Sequence, residues 1–189
     1  MASSSAVPAV SDNVLNVSVT SIFNSFSSVL SHSSLNPLAP AFNNNEHSVK
    51  DCATTLKDLR VQNVGNIIIA HLNINSIRYK FDSLVQLIDS NIDILVIGET
   101  KLDSTFPMKT SFTINGFKTP YRKDRNGDGG GVIIYVREDI PSHEKPHVFP
   151  SNVEALVVEI NLRKTKFLLI GTYHSTNKDY GTTDDVFIQ

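Results

Sequence analysis

Two apolar runs with a helical pattern between them constrain this chain more than any other feature. Ile67 to Ala70 and Ile92 to Ile97 are short, rich in β-branched residues and almost free of polar side chains. That is the pattern of strands buried on both faces. Between them Phe81, Leu84, Val85 and Ile88 recur at i, i+3, i+4 and i+7, one face of an amphipathic helix, with Asn75 or Ser76 placed as its N-cap. Strand, helix and strand in that order predict a right-handed crossover between parallel strands. Both strands then end at one edge of a sheet. Asn73 and Asn75 follow the first and Glu99 follows the second, so these polar groups are expected to converge.

The rest of the chain fits an α/β reading. Val132 to Val136 is a third strand, preceded by the Gly-rich run Gly127 to Gly131 and closed by Asp139-Ile140-Pro141-Ser142. Lys101 to Arg125 reads as a loop with a turn at Asn115-Gly116. Val153 to Ile160 and Phe167 to Tyr173 read as an antiparallel pair joined by the basic turn Arg163-Lys164-Thr165-Lys166. Asp184-Asp185-Val186-Phe187 resembles the first turn of a helix, with acids where the dipole favours them. The N-terminal stretch differs in kind. Ser and Asn dominate its first 50 residues, where Asp12, Glu46 and Lys50 are the only charges. Residues 1–59 are therefore expected to be a disordered or marginally helical arm, and 60–189 the folded part. The stripe Leu15, Val19, Ile22, Phe26 and Leu30 is the one helical signal in the arm.

Composition removes several classes of function. A net charge of −2 supplies no bulk basic field, so any phosphate recognition must be local. The single cysteine, Cys52, excludes an internal disulfide and a cysteine-rich zinc site. None of the six histidines has metal-ligand spacing; His71 is expected to pack within its strand, and His143 and His147 lie in a Pro-rich loop. No segment reaches the ~18 apolar residues of a membrane span, and the start of the chain lacks the features of a targeting signal. The expectation is a soluble intracellular protein, nuclear or cytoplasmic, with no membrane and no disulfide partner.

Chemistry concentrates at the two strand ends. Asn73 and Asn75, two apart, share a face if the strand continues, and two amides there suit a phosphate oxygen and a metal-bound water. Capping the following helix is the alternative use for them. Glu99 is costly to bury without a partner. A hard ion such as Mg²⁺, held by one or two carboxylates and several waters, is one partner, and Lys101 is another. The Gly127 to Gly131 run precedes a strand rather than a helix, so a tight turn accounts for it better than a phosphate cradle does. Tyr121-Arg122-Lys123-Asp124-Arg125 could follow a nucleic-acid backbone or form a solvated loop.

Taken together, His71-Leu72-Asn73-Ile74-Asn75-Ser76-Ile77-Arg78, Glu99-Thr100-Lys101, Arg122-Lys123-Asp124-Arg125, the Gly129 to Gly131 run and Tyr135-Val136-Arg137-Glu138-Asp139-Ile140-Pro141 resemble the N-terminal half of an endonuclease/exonuclease/phosphatase domain. The version is similar to the apurinic-endonuclease-like domain of non-LTR (LINE-type) retrotransposons, and the likeness covers roughly residues 60–189. It implies a four-layer α/β sandwich, of which this chain would hold a part, and Mg²⁺- or Mn²⁺-dependent hydrolysis of phosphodiesters in DNA. It also implies roles. Glu99 matches the metal-ligating glutamate, with Asn75 near the metal, and Asn73 matches the asparagine that orients the scissile phosphate. Tyr173 matches a tyrosine that hydrogen-bonds the phosphate. Arg78 and Lys101 match positions that steer DNA, and Arg122 and Arg125 join them as nucleic-acid contacts.

The departures are also specific. His174-Ser175-Thr176-Asn177 follows Tyr173 where the family has a Pro-rich or Asn-containing string, and neither the Gly-Asp-x-Asn motif nor the terminal Asp-His pair occurs. Three expectations follow: a truncated domain inactive in isolation, one face of the central β core lacking its partner sheet, and self-association through exposed strand edges. The alternatives are a phosphodiesterase of the same superfamily acting on a lipid or inositol phosphate, and a non-catalytic degenerate remnant.

Overall fold

The structure, a computed structural model, describes residues 14–16, 44–88, 90–107, 111–125, 129–150, 153–162, 165–173 and 187–188. It is mixed α/β, with two sheets and two helices among the described residues. The strands are β1 (Val14–Asn16), β2 (Ile67–Asn73), β3 (Ile94–Gly98), β4 (Tyr121–Lys123), β5 (Val132–Val136), β6 (Ser142–Glu144), β7 (Ala155–Asn161), β8 (Lys166–Thr172) and β9 (Phe187–Ile188). The helices are α1 (Asn44–Gln62) and α2 (Phe81–Ile88). Sheet order is β1-β2-β3-β5-β4 in the five-stranded sheet and β6-β7-β8-β9 in the four-stranded one.

The crossover forms as the spacing predicts. β2 and β3 are parallel, with Asn73 opposite Gly98 at their shared end. Helix α2 turns Leu84, Leu87 and Ile88 inward, against Ala70 and Leu72 of β2, Leu95 and Ile97 of β3, and Ile133 and Tyr135 of β5. Each side chain of that size, fully buried, contributes about 1.5–3 kcal/mol. The other face of the same strands, Ile67, Ile69, Ile94, Val96, Val132, Ile134 and Val136, packs on Leu156, Val158 and Ile160 of β7 and Phe167 and Leu169 of β8. The first sheet is therefore covered on both faces, by helices and by the second sheet. The expectation of a bare face is corrected: β7 and β8 pair along their full lengths and supply the cover. Gly171 of β8 allows close approach, since a Cβ there would lie 2.8 Å from Val132 Cγ1.

Other expectations are revised. Helix α1 runs through residue 59, where the arm was expected to end, and buries Cys52 and Leu56, one turn apart, in the helix-side core. Its weak apolar patterning hid it: among its described side chains only Cys52 and Leu56 are buried in the core. Asn63 ends it by donating both its N–H and its side-chain amide to the Leu59 carbonyl. In the arm's apolar stripe, Leu15 sits in β1, paired parallel to β2, and Val19, Ile22, Phe26 and Leu30 lie outside the described residues. Helix α2 begins at Phe81, so neither Asn75 nor Ser76 caps it. The Lys101–Arg125 loop contains β4, antiparallel to β5. Phe187 lies in β9, paired with β8, rather than in a helix, and Asp184 to Val186 fall outside the described residues. His143 lies in β6. No described helix is long and apolar enough to cross a membrane, and Cys52 is buried and takes part in no disulfide among the described residues.

Candidate functional site

Parallel pairing of β2 and β3 brings the segments after Asn73 and Gly98 together. Their backbones interlock: the Ile74 N–H donates to Gly98 O at 3.1 Å, Ser76 N–H to Glu99 O at 2.8 Å and Ile77 N–H to Thr100 O at 3.1 Å. A third strand closes the edge, since Thr100 and Lys101 donate their N–H groups to the carbonyls of Gly131 and Gly130, at 3.2 and 3.0 Å. Held this way, Asn75, Ser76, Glu99 and Lys101 all take positive φ, from 45° to 81°. Each such residue costs of order 1–2 kcal/mol relative to ordinary backbone. Strain gathered at one edge persists only where the surrounding bonds over-determine it, and such clusters mark functional sites.

Glycine serves that edge at one point in particular. Gly131 has φ +87°, and a Cβ there would collide with Thr100 Oγ1. Thr100 is fully buried beside Glu99, and its hydroxyl has no hydrogen-bond partner among the described residues.

Glu99 is half-buried and accepts a hydrogen bond from the Tyr173 hydroxyl. Tyr173 follows β8, so this bond crosses from the second sheet to the first. Burial, then the neighbouring Glu99 charge, raises the phenol's pKa above its ordinary value, so Tyr173 is a proton donor at neutral pH. Asn73, in register with Ile67 and Ile69 along β2, lies on the sheet face turned toward β7 and β8, the side from which Tyr173 comes.

Asn75 departs from expectation. The chain leaves the strand at Asn73, and Asn75, exposed and at φ 45°, donates its N–H to Asn73 Oδ1 at 3.2 Å. The two amides therefore do not share a strand face, because the left-handed turn ends the alternation that would align them.

The basic residues divide. Arg122 is 5% exposed and fully used: its Nε and Nη2 bind Asp124 at 3.2 and 2.6 Å, and Nη1 binds Pro107 O at 3.2 Å. A buried guanidinium committed to those partners holds the Asp124 carboxylate and the Phe106–Pro107 backbone in place, a structural use of the side chain. Arg125 is exposed, 3.6 Å from Glu154 Oε2 and stacked 5.7 Å over the Tyr173 ring. Arg78 reaches Asp103 at 3.0 Å and lies 4.8 Å over Phe106, with a third of its side chain exposed. Lys101 sits beside Glu99 at the edge.

Two further residues, Lys80 and Glu154, join the edge. Lys80 Nζ donates to the carbonyls of Ile74 and Asn75 at 2.6 and 2.9 Å, pinning the turn after β2. Burial, and then the Lys101 charge, lower its pKa while Glu99 opposes them, which sets these three side chains within one field. Glu154 Oε1 accepts the Gly131 N–H at 2.5 Å, and its backbone carbonyl accepts the Tyr173 N–H at 3.1 Å. An acid placed just before an apolar strand was the available hint.

For a metal, the donor set is Glu99 with the amide oxygen of Asn73. Among the described residues no group of three His, Cys, Asp or Glu side chains could hold an ion. A single carboxylate with amide oxygens fits a hydrated hard cation shared with a phosphate, and does not fit one enclosed by protein. No protein-family model matches the chain, and no curated protein matches it either.

Proposed function

We propose that this chain carries the glutamate-centred part of a phosphodiester-cleaving site of the endonuclease/exonuclease/phosphatase type, with DNA as its substrate, as in LINE-type retrotransposons. One observation carries the reading: the Tyr173–Glu99 hydrogen bond at the end of β3, on the face toward which Asn73 is turned. It joins a carboxylate suited to a hard ion to a protonated phenol suited to a phosphate oxygen, an arrangement that structure alone does not need. The stacking of helices on a five-stranded sheet on a four-stranded sheet matches three consecutive layers of the four-layer sandwich that accompanies this activity.

In this reading Glu99 would hold Mg²⁺ or Mn²⁺, with the amide oxygen of Asn73 as the second donor at the edge and Asn75 in the adjoining turn. The ion, when bound, supplies charge that polarises the phosphoryl oxygen. Asn73 orients the phosphate, and Tyr173 redirects its single O–H from Glu99 to a non-bridging oxygen when phosphate is present. Arg78, Lys101 and Arg125 offset the charge of flanking phosphates. Hydrolysis also needs an oriented water, and the sequence contains no Gly-Asp-x-Asn acid to supply that function. The isolated chain is therefore expected to bind the ion weakly and to cleave negligibly.

Mn²⁺ titration followed by NMR tests the reading. Paramagnetic broadening should centre on Glu99, Asn73 and Tyr173 and disappear in Glu99→Gln; broadening centred elsewhere would overturn the assignment. Competition between a DNA oligonucleotide and an inositol phosphate for the loaded site decides the substrate class, with DNA expected to win. Robust Mg²⁺-dependent nicking of supercoiled plasmid, lost in Glu99→Ala, would refute the expected inactivity.

A further inference from the structure

The turn after β2 displays an aromatic ring that the fold does not use. Tyr79 is 89% exposed, the most exposed of the large apolar side chains described. Its turn is built rigidly. Ile77 is fully buried, the Lys80 N–H closes the turn onto Ile77 O at 3.1 Å, and Lys80 Nζ clamps the carbonyls of Ile74 and Asn75. Arg78 is held between Asp103 and the Phe106 ring. The residues on either side of Tyr79 are thus anchored while its ring stands in solvent. A floppy loop could expose a tyrosine incidentally, but a pinned turn presents it at little further entropy cost on binding.

The surroundings indicate what the ring would meet. Arg78 and Lys80 flank it in sequence, Lys101 lies within the field of Lys80, and the same turn hydrogen-bonds the backbone of Glu99 and Thr100. An exposed ring on an edge that also carries a cation is the arrangement that binds single-stranded nucleic acid, with a base stacking on the ring and a phosphate on the basic group. The sequence suggested a basic-aromatic run at Tyr121 to Arg125, but Arg122 there is buried and paired. The exposed aromatic is Tyr79, whose neighbours Arg78 and Lys80 are held by Asp103 and by two backbone carbonyls, which leaves Lys101 as the cation for a phosphate.

We infer that Tyr79 is a stacking platform for an unpaired base of single-stranded DNA lying across this edge, with Lys101 contacting an adjacent phosphate. The inference rests on the nucleic-acid reading proposed above and deepens it by naming an unpaired strand as the ligand at this edge.

The test uses the full chain, a fluorescein-labelled single-stranded oligothymidine and anisotropy, with EDTA present so that no metal chemistry contributes. Tyr79→Ala should weaken binding about tenfold, in the range a lost base stack produces, and Tyr79→Phe should bind within about twofold of wild type. Lys101→Ala should flatten the dependence on salt, which Tyr79→Ala leaves unchanged because it removes no charge. A blunt duplex of the same sequence should show little sensitivity to Tyr79→Ala. Wild-type binding with full affinity retained in Tyr79→Ala would overturn the platform and leave the nucleic-acid reading standing. No binding by the wild-type chain at low salt would overturn both.

Discussion

Strand β3 has a carboxylate at each end, and the two are held in opposite ways. Asp93, just before the strand, is 1% exposed and saturated. Its Oδ2 accepts the Ile68 N–H at 2.7 Å and Arg60 Nη2 at 2.6 Å, while Oδ1 pairs with Arg137 Nη1. Arg137 is in turn held by Asp139. Glu99, just after the strand, is half-buried and takes a phenol as partner, with two lysines in its field. The first carboxylate ties α1, β2, β3 and the end of β5 together. The second sits on strained backbone and keeps the capacity to accept more. A buried acid surrounded by guanidinium groups is architecture; a half-exposed one facing a proton donor keeps a lone pair available to a ligand.

The largest effect expected from this contrast is on stability. Asp93→Ala leaves two guanidinium groups and a buried N–H without their partner and should cost about 3–5 kcal/mol in urea unfolding. Glu99→Gln, isosteric and still able to accept the Tyr173 O–H, should change stability by less than about 1 kcal/mol. Comparable losses from both would break the distinction.

Arg122→Ala sharpens the same contrast among the cations. It should cost about 2 kcal/mol, less than Asp93→Ala because water can reach Asp124, and should leave oligonucleotide affinity unchanged. A loss of affinity without loss of stability would mark Arg122 as a nucleic-acid contact.

Glycines at the two ends provide a third comparison. Gly131→Ala meets both a positive φ and the Thr100 hydroxyl, whereas Gly116 has φ +81° with nothing within 4 Å of a Cβ. The first should cost about 2–3 kcal/mol and the second about 1, the backbone part alone. Equal losses would show that packing of Gly131 on Thr100 does not hold the edge in shape.

The smallest effect is a titration. Burial and the Glu99 charge raise the Tyr173 pKa above 10.0. In Glu99→Gln the charge is gone and the value should fall, while remaining above the ordinary value because burial persists; ¹³C NMR of the tyrosine Cζ reads this. A pKa raised in the folded state contributes stability that is present below 10.0 and lost as pH rises through the folded value. Alkaline loss of stability should therefore be shallower in Glu99→Gln. An unchanged Tyr173 titration would mean that the two groups are not coupled.

The sequence by itself determined the crossover and the polar strand ends. Apolar spacing at Ile67–Ala70, Phe81–Ile88 and Ile92–Ile97 is a local code for which face is buried, and parallel pairing follows from the helix between the strands. Asn73 and Glu99 were legible for that reason, as was the antiparallel pair β7–β8. Tertiary structure alone decided which polar groups remain available. Arg122 and Arg125 look alike in sequence, yet one is closed by Asp124 and the carbonyl of Pro107 while the other stacks on Tyr173. Lys80 and Glu154 join the edge only because the chain folds them onto Ile74 and Gly131. Helix α1 was hidden because two buried side chains, Cys52 and Leu56, suffice to dock it. Periodicity records the burial of apolar surface, an average over many neighbours. The partner of a charge depends on one or two atoms brought close by distant chain segments, and no local pattern encodes that.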